Sequence, residues 1–315
     1  MKAHNTVIIA VAALVMLVIS IPSAAAQINP FEFNHSAGIV TLETEEINFK
    51  IVGVSDYPHF QWWDPDNPDL NYHMRFVSLF EANDTNADGV YTKGIDSVIG
   101  SRFMLPFTNW DFSGFVTETD GENITAVHFN FTSTTAFDPR PEGFGDWSFL
   151  PIISEFDVMT QIRVHFDMDN PSEVKFDVVI DGWVWSYDDS ILVFQFVIVQ
   201  SLHGDGNPEV LPEGFHKTGT KFEFSNGYME YEGTALAANN TLQVEASYGE
   251  GVGLELGESV YLAFEYFGDA TMIYDPILGI EPTSSQLLDT TTTLLLVGGI
   301  VVVVIAAIVI LKVRK

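Results

Sequence analysis

Residues 294–311 read Leu-Leu-Leu-Val-Gly-Gly-Ile-Val-Val-Val-Val-Ile-Ala-Ala-Ile-Val-Ile-Leu without a single charge, and Lys312, Arg314 and Lys315 follow at once. No other stretch limits the possible architectures so strongly. At about 1.5 Å per residue, a helix of this length reaches roughly 27 Å, close to the hydrocarbon thickness of a bilayer. Lipid offers no partner for backbone N–H and C=O groups, so the segment is predicted to be a transmembrane helix. The basic residues 312–315 predict a cytoplasmic tail, which places the preceding chain outside the cell.

The other end of the chain fits that topology. Lys2, the apolar residues 7–19 and Ser23-Ala24-Ala25-Ala26 have the order of a secretory signal peptide, so residues 1–26 are expected to be removed. Residues 27–282 then form the ectodomain, and the Thr-rich residues 283–293 form a short stalk. The absence of Cys excludes a thiol nucleophile, a Cys-ligated zinc and a disulfide framework. An exported domain of this kind must depend on a large core, and on bound ions where it has them.

The chain carries 43 acidic against 13 basic residues, a formal charge of −30. Lys2, Lys312, Arg314 and Lys315 lie outside the ectodomain, which is therefore more acidic still. Such a surface repels phosphate backbones and excludes nucleic acid as a partner, while it favours cations. Five Asn-X-Ser/Thr sequons, at Asn34, Asn83, Asn123, Asn130 and Asn239, suit an exported and N-glycosylated chain.

Between residues 38 and 267 the pattern is that of β-strands. Phe, Val, Ile and Tyr recur with period two, and long helical periodicity is absent. Residues 124–132 place Val127, Phe129 and Phe131 on one face and His128 and Asn130 on the other. Residues 155–169 are read as the longest amphipathic strand. Residues 191–199 are apolar on both faces except for Gln195, which predicts a central strand covered twice. Residues 57–69 and 137–151 are read as loops, and Asp275-Pro276 and Gly279 as breaks in the pattern. Asn226-Gly227 predicts a type I′ hairpin that pairs Phe224 with Met229 and sets Glu223 opposite Glu230. The expected fold is all-β, one large antiparallel sandwich or jelly roll; two β subdomains meeting near residues 137–151 is the alternative.

The clearest local motif is Asp84-Thr85-Asn86-Ala87-Asp88-Gly89-Val90. Oxygen ligands at its first, third and fifth positions converge on one ion when glycine permits a sharp turn. This half-loop resembles the calcium loops of EF-hands and dockerins over about a dozen residues. The resemblance implies Ca2+ held by Asp84, Asn86, Asp88 and the Val90 carbonyl. Ile95 occupies the position of the EF-hand's bidentate Glu, so closure falls to Asp96 or to a carboxylate from elsewhere. The other reading is an Asx-rich turn without an ion.

Other chemistry is sparse. The chain has no HExxH, G-x-S-x-G or P-loop motif. Glu155-Phe156-Asp157-Val158-Met159-Thr160 resembles the E-x-D-x-x-E strand of jelly-roll glycoside hydrolases, which names Glu155 and Asp157 as catalytic suspects. Thr160 stands where that motif needs its acid/base. Trp62 and Trp63 are candidates for stacking on a sugar. His59, His203, His216, residues 64–67 and residues 203–207 are further ligand candidates. Over its whole length the layout resembles that of archaeal-type membrane-anchored surface proteins. It implies a non-enzymatic, calcium-stabilised domain for envelope structure, adhesion or ligand binding, with glycans or other surface proteins as partners. The rivals are a membrane-tethered carbohydrate-active enzyme or binding module, and a solute-capture protein serving a transporter.

Overall fold

The computed structural model describes residues 32–36, 38–52, 58–133, 158–202, 212–250 and 258–281. The signal segment, the loop 137–151, Glu155, Asp157, His203, residues 203–207, the stalk and the apolar run lie outside the described residues. Among the described residues no helix is long and apolar enough to cross a membrane.

Ile191–Leu202 (β12) is the strand around which the others assemble. Leu192, Phe194, Phe196 and Ile198 point into the main core, while Val193, Val197 and Val199 are buried on the opposite face. The apolar run is thus covered on both sides. Its neighbours are Leu70–Asn83 (β5) and Glu258–Phe264 (β18), both antiparallel to it. β5 is the longest strand described, with 14 residues.

Including these three, the described residues form twenty strands, all paired antiparallel. The first ones are Glu32–Ser36 (β1), Ile39–Glu43 (β2), Asn48–Val52 (β3) and His59–Trp63 (β4). They lead to β5, whose first half pairs with β4 and whose second half pairs with Ser97–Met104 (β6). Beyond β12 and β18 this sheet ends on Asn240–Glu250 (β17). In the second sheet, Trp110–Phe112 (β7) and Val116–Asp120 (β8) share the partner Asn123–Ser133 (β9). Met159–Asp167 (β10) and Glu173–Asp181 (β11) follow. β11 is flanked by Met272–Tyr274 (β19) and Ile277–Ile280 (β20). β20 continues into Gly227–Glu230 (β15), Lys221–Phe224 (β14) and His216–Thr218 (β13). β19 continues into Thr234–Ala237 (β16). β17 joins the sheets: residues 240–243 pair with β16 and residues 244–250 with β18.

The two sheets share one core. Phe60 and Phe76 of the first pack on Phe176 of the second, with ring centroids 5.4 and 6.1 Å apart. Trp62 Nε1 donates across the gap to Gly279 O at 3.3 Å. Residues from before and after the 137–151 stretch therefore enter a single apolar cluster. The predicted alternation holds in β9 and β10, where Val127, Phe129, Phe131, Ile162, Val164 and Phe166 are all buried.

Three expectations are corrected. Residues 59–63 are a strand, not part of a loop, because Phe60 and Trp62 alternate into the core. Asp275-Pro276 does not end the pattern; it separates β19 from β20, and Gly279 lies within β20. The hairpin turns at Ser225-Asn226, one residue earlier than predicted, so that Phe222 faces Met229 and Lys221 faces Glu230. The reason is tertiary. A Cβ on Gly227 would lie 2.6 Å from Tyr72 Cε2 and 2.7 Å from Phe224 Cε2, so glycine is needed inside the strand rather than in the turn. Asn226 is held by accepting from Tyr72 Oη at 2.7 Å and donating to Asp64 Oδ2 at 3.1 Å. This register also replaces the Glu223–Glu230 opposition with a Lys–Glu pair.

Candidate functional site

The Asx-rich loop leaves β5 at Asn83 and returns to β6 at Ser97. One buried residue seats it. Tyr91 packs against Phe80 and Tyr261, with ring centroids 5.1 and 5.0 Å away, and so covers the outer face of the first sheet. Ser247 Oγ on β17 donates to Tyr91 O. The aromatic plug covers Ile191 and Val193 on the outer side of β12, while Val197 and Val199 further along pack with Val77.

Around this plug the loop folds on its own side chains. Asp84 Oδ2 accepts the Gly89 N–H at 2.8 Å, and Asp84 Oδ1 accepts the Asp88 N–H at 3.2 Å. Asp88 Oδ1 accepts from Val90 N at 2.9 Å, and Asn86 Nδ2 donates to Asp88 Oδ2 at 2.7 Å. Gly89 has φ +74°, the left-handed turn that the motif assigns to glycine. Asp84 and Val90 are half-buried, and Asn86 and Asp88 are exposed. The loop therefore brings its three predicted side-chain ligands to one turn.

Ile95 is 57% exposed, and Asp96 is buried at 6%. Asp96 Oδ1 accepts from Thr85 N at 2.9 Å and Oδ2 from Thr92 N at 2.6 Å. Its carboxylate ties the two limbs of the loop together, one of them within the Asp84–Asp88 turn. A carboxylate from elsewhere is close: a Cβ on Gly89 would lie 3.8 Å from Glu245 Cγ on β17. Sequence reasoning could not find Glu245, which is more than 150 residues away along the chain. Among the described residues no group of three or more His, Cys, Asp or Glu is placed to hold a metal. An ion in this loop would draw on Asn86 and backbone oxygen as well as on Asp84 and Asp88.

The remaining candidates separate clearly. Trp62 is fully buried in the core, so it offers no face to a sugar; Trp63, on the other side of β4, is half-buried. Asp64 accepts from Asp66 N and Asn226 Nδ2, which makes residues 64–67 a side-chain-capped turn. His59 lies on β4, where Gln61 Nε2 donates to its Nε2 at 2.8 Å. Burial, with Arg75 and Lys50 nearby, lowers its pKa from 6.5 to about 4. His216 lies at the start of β13, 3.2 Å from Glu223. Of the sequons, Asn34, Asn83, Asn123 and Asn239 are exposed and Asn130 is half-buried on the outer side of β9.

A second polar array crosses the outer face of the second sheet. His128 on β9 and His165 on β10 are cross-strand partners, and their Nδ1 atoms are 3.0 Å apart. His128 Nε2 lies 3.2 Å from Glu118 Oε1 on β8, and His165 Nε2 lies 3.0 Å from Asp177 Oδ2 on β11. Four strands thus contribute one row, carboxylate–imidazole–imidazole–carboxylate. The alternation places both histidines on the polar side of their strands, but no local signal predicts that the strands align them. The sequence matches no protein-family model, and no curated protein is significantly similar to it.

Proposed function

We propose that this chain is a cell-surface β domain held at the membrane by its C-terminal apolar segment, with Ca2+ pinning the loop 84–96, and that it serves envelope structure, adhesion or ligand binding. The observation that carries this reading is the turn at Asp84–Gly89, where Asp84 accepts from the Asp88 and Gly89 N–H groups, Asn86 bonds to Asp88 and Gly89 supplies the left-handed bend. Oxygen donors of this kind suit a hard cation such as Ca2+. Asp84, Asn86, Asp88 and the Val90 carbonyl would hold the ion, with water and Glu245 available to complete the shell. Such a thin protein shell belongs to the weak range of extracellular calcium modules, about 10⁻⁴–10⁻³ M. The acidic composition and the five sequons are in keeping with an outside location. The ion's role is structural, because the loop it steadies carries Tyr91, the cover of the first sheet's outer face.

The test is limited proteolysis on intact cells together with thermal unfolding of the purified chain. At a Ca2+ concentration ten times the dissociation constant, binding adds about 1.4 kcal/mol, which is a rise of roughly 3–6 °C in Tm for a domain of this size. Chelator should remove that gain and expose the loop to cleavage, and Asp88→Ala should abolish the response. Unchanged Tm and cleavage with chelator would refute the ion. Complete protection of the ectodomain on intact cells would refute the outside placement.

A further inference from the structure

We infer that His128 and His165 form a site for a borderline divalent cation of the Zn2+ or Cu2+ kind, bound between their facing Nδ1 atoms. An ionised carboxylate has only lone pairs, so a hydrogen bond at the observed spacings takes its N–H from the imidazole, His165 donating to Asp177 and His128 to Glu118. Both Nε2 atoms then carry the proton, and in two neutral rings both Nδ1 atoms are bare. Two lone pairs 3.0 Å apart repel unless a positive species lies between them. A cation that accepts both lone pairs relieves this conflict.

The geometry suits a metal. Imidazole nitrogen binds Zn2+ at about 2.0–2.1 Å, so two nitrogens at the observed spacing subtend roughly 95° at one ion. Opening the pair by about 0.3 Å reaches tetrahedral spacing. The rings are also backed as metal ligands usually are, by a carboxylate that fixes the tautomer and raises the basicity of the other nitrogen. Asp177 is well shielded, its side chain 18% exposed, while the histidines are 30% and 34% exposed, so solvent can reach the Nδ1 atoms. Among the described residues, only the two imidazoles direct lone pairs to the common point. The carboxylates stand behind the rings, and water fills the remaining positions. The nitrogen donors separate this site from the oxygen-lined loop 84–96, which selects harder ions.

The experiment is a competition titration of the full-length chain, in detergent at pH 7.5, with Zn2+ as probe. One saturable site is expected, lost in His128→Gln and in His165→Gln and intact in His216→Gln. Asp177→Asn should weaken it about 10–100-fold and leave the stoichiometry unchanged. Copper loaded into the unmutated chain gives a reading that does not depend on any variant folding: its paramagnetic resonance should show coupling to two imidazole nitrogens. No saturable Zn2+ site, undiminished affinity in the His128→Gln/His165→Gln double variant, or oxygen-only coupling would overturn the inference. The rings would then share a proton alone, with His128 donating Nδ1–H to His165 and Glu118 turned to solvent.

Discussion

Gly227 offers the sharpest check on the packing. In β15 its missing side chain makes room for the rings of Tyr72 and Phe224, both essentially fully buried. Gly227→Ala would place a methyl group 2.6–2.8 Å from three ring carbons, well inside contact distance. Overpacking of this kind costs about 1–3 kcal/mol. Displacing Tyr72 also weakens its hydroxyl bond to Asn226, worth about 1 kcal/mol. Against these stands a gain of roughly 0.4–1 kcal/mol from stiffening the unfolded chain. The net expectation is a loss of about 2 kcal/mol, or roughly 4–8 °C in Tm. Gly233→Ala is the control, since nothing lies within 4 Å of a Cβ there and its φ is not left-handed. It should leave Tm unchanged or raise it slightly. Gly227→Asn decides between the two hairpin registers: asparagine tolerates a left-handed turn but not a filled strand position, so it should destabilise more than alanine. Chemical denaturation of the three variants gives the comparison. Equal shifts for Gly227→Ala and Gly233→Ala, or asparagine better tolerated than alanine at 227, would refute the steric argument and the register together.

Two further outcomes follow from buried polar groups. His59 takes up its proton near pH 4 when folded and near 6.5 when unfolded, so the unfolded chain holds more protons between these values. Stability should therefore fall as pH drops from 6.5 to 4, by at most about 3 kcal/mol and less after solvent screening of this half-buried ring, and His59→Gln should flatten the slope in pH-dependent denaturation. Glu81, 2% exposed, accepts from Ser186 N at 2.8 Å, Tyr187 N at 3.0 Å and Ser190 Oγ. Glu81→Leu should cost about 2–4 kcal/mol in urea denaturation by stranding these donors, and a loss below 0.5 kcal/mol would show that water replaces the carboxylate freely.

Local pattern and tertiary context divided the information unevenly. Period-two alternation is a property of one strand at a time, so the faces of β9 and β10 and the double cover of β12 could be read from residue order alone. Trp62 could not, because Pro58, Pro65 and Pro68 around it are turn signals, and only the fit of Phe60 and Trp62 against Phe176 and Gly279 draws the segment into a sheet. The candidate loop was legible in its side-chain types, since spacing along the chain sets which Asx residues share a turn. Its closure was not: Asp96 turns inward to two backbone N–H groups, and Glu245 approaches from β17. The histidine row is the extreme case, since it depends on the register of four strands.

By itself the sequence determined the all-β class, the acidic composition, the faces of strands such as β9 and β10, and the Asx residues gathered in one turn. These follow from side-chain chemistry and from periodicities that a backbone imposes over a few residues. The tertiary structure alone decided which strands lie side by side, where the hairpin turns, and which carboxylates and imidazoles meet. Those outcomes depend on steric exclusion and pairing between residues distant in the chain, as when the Tyr72 ring requires glycine at 227.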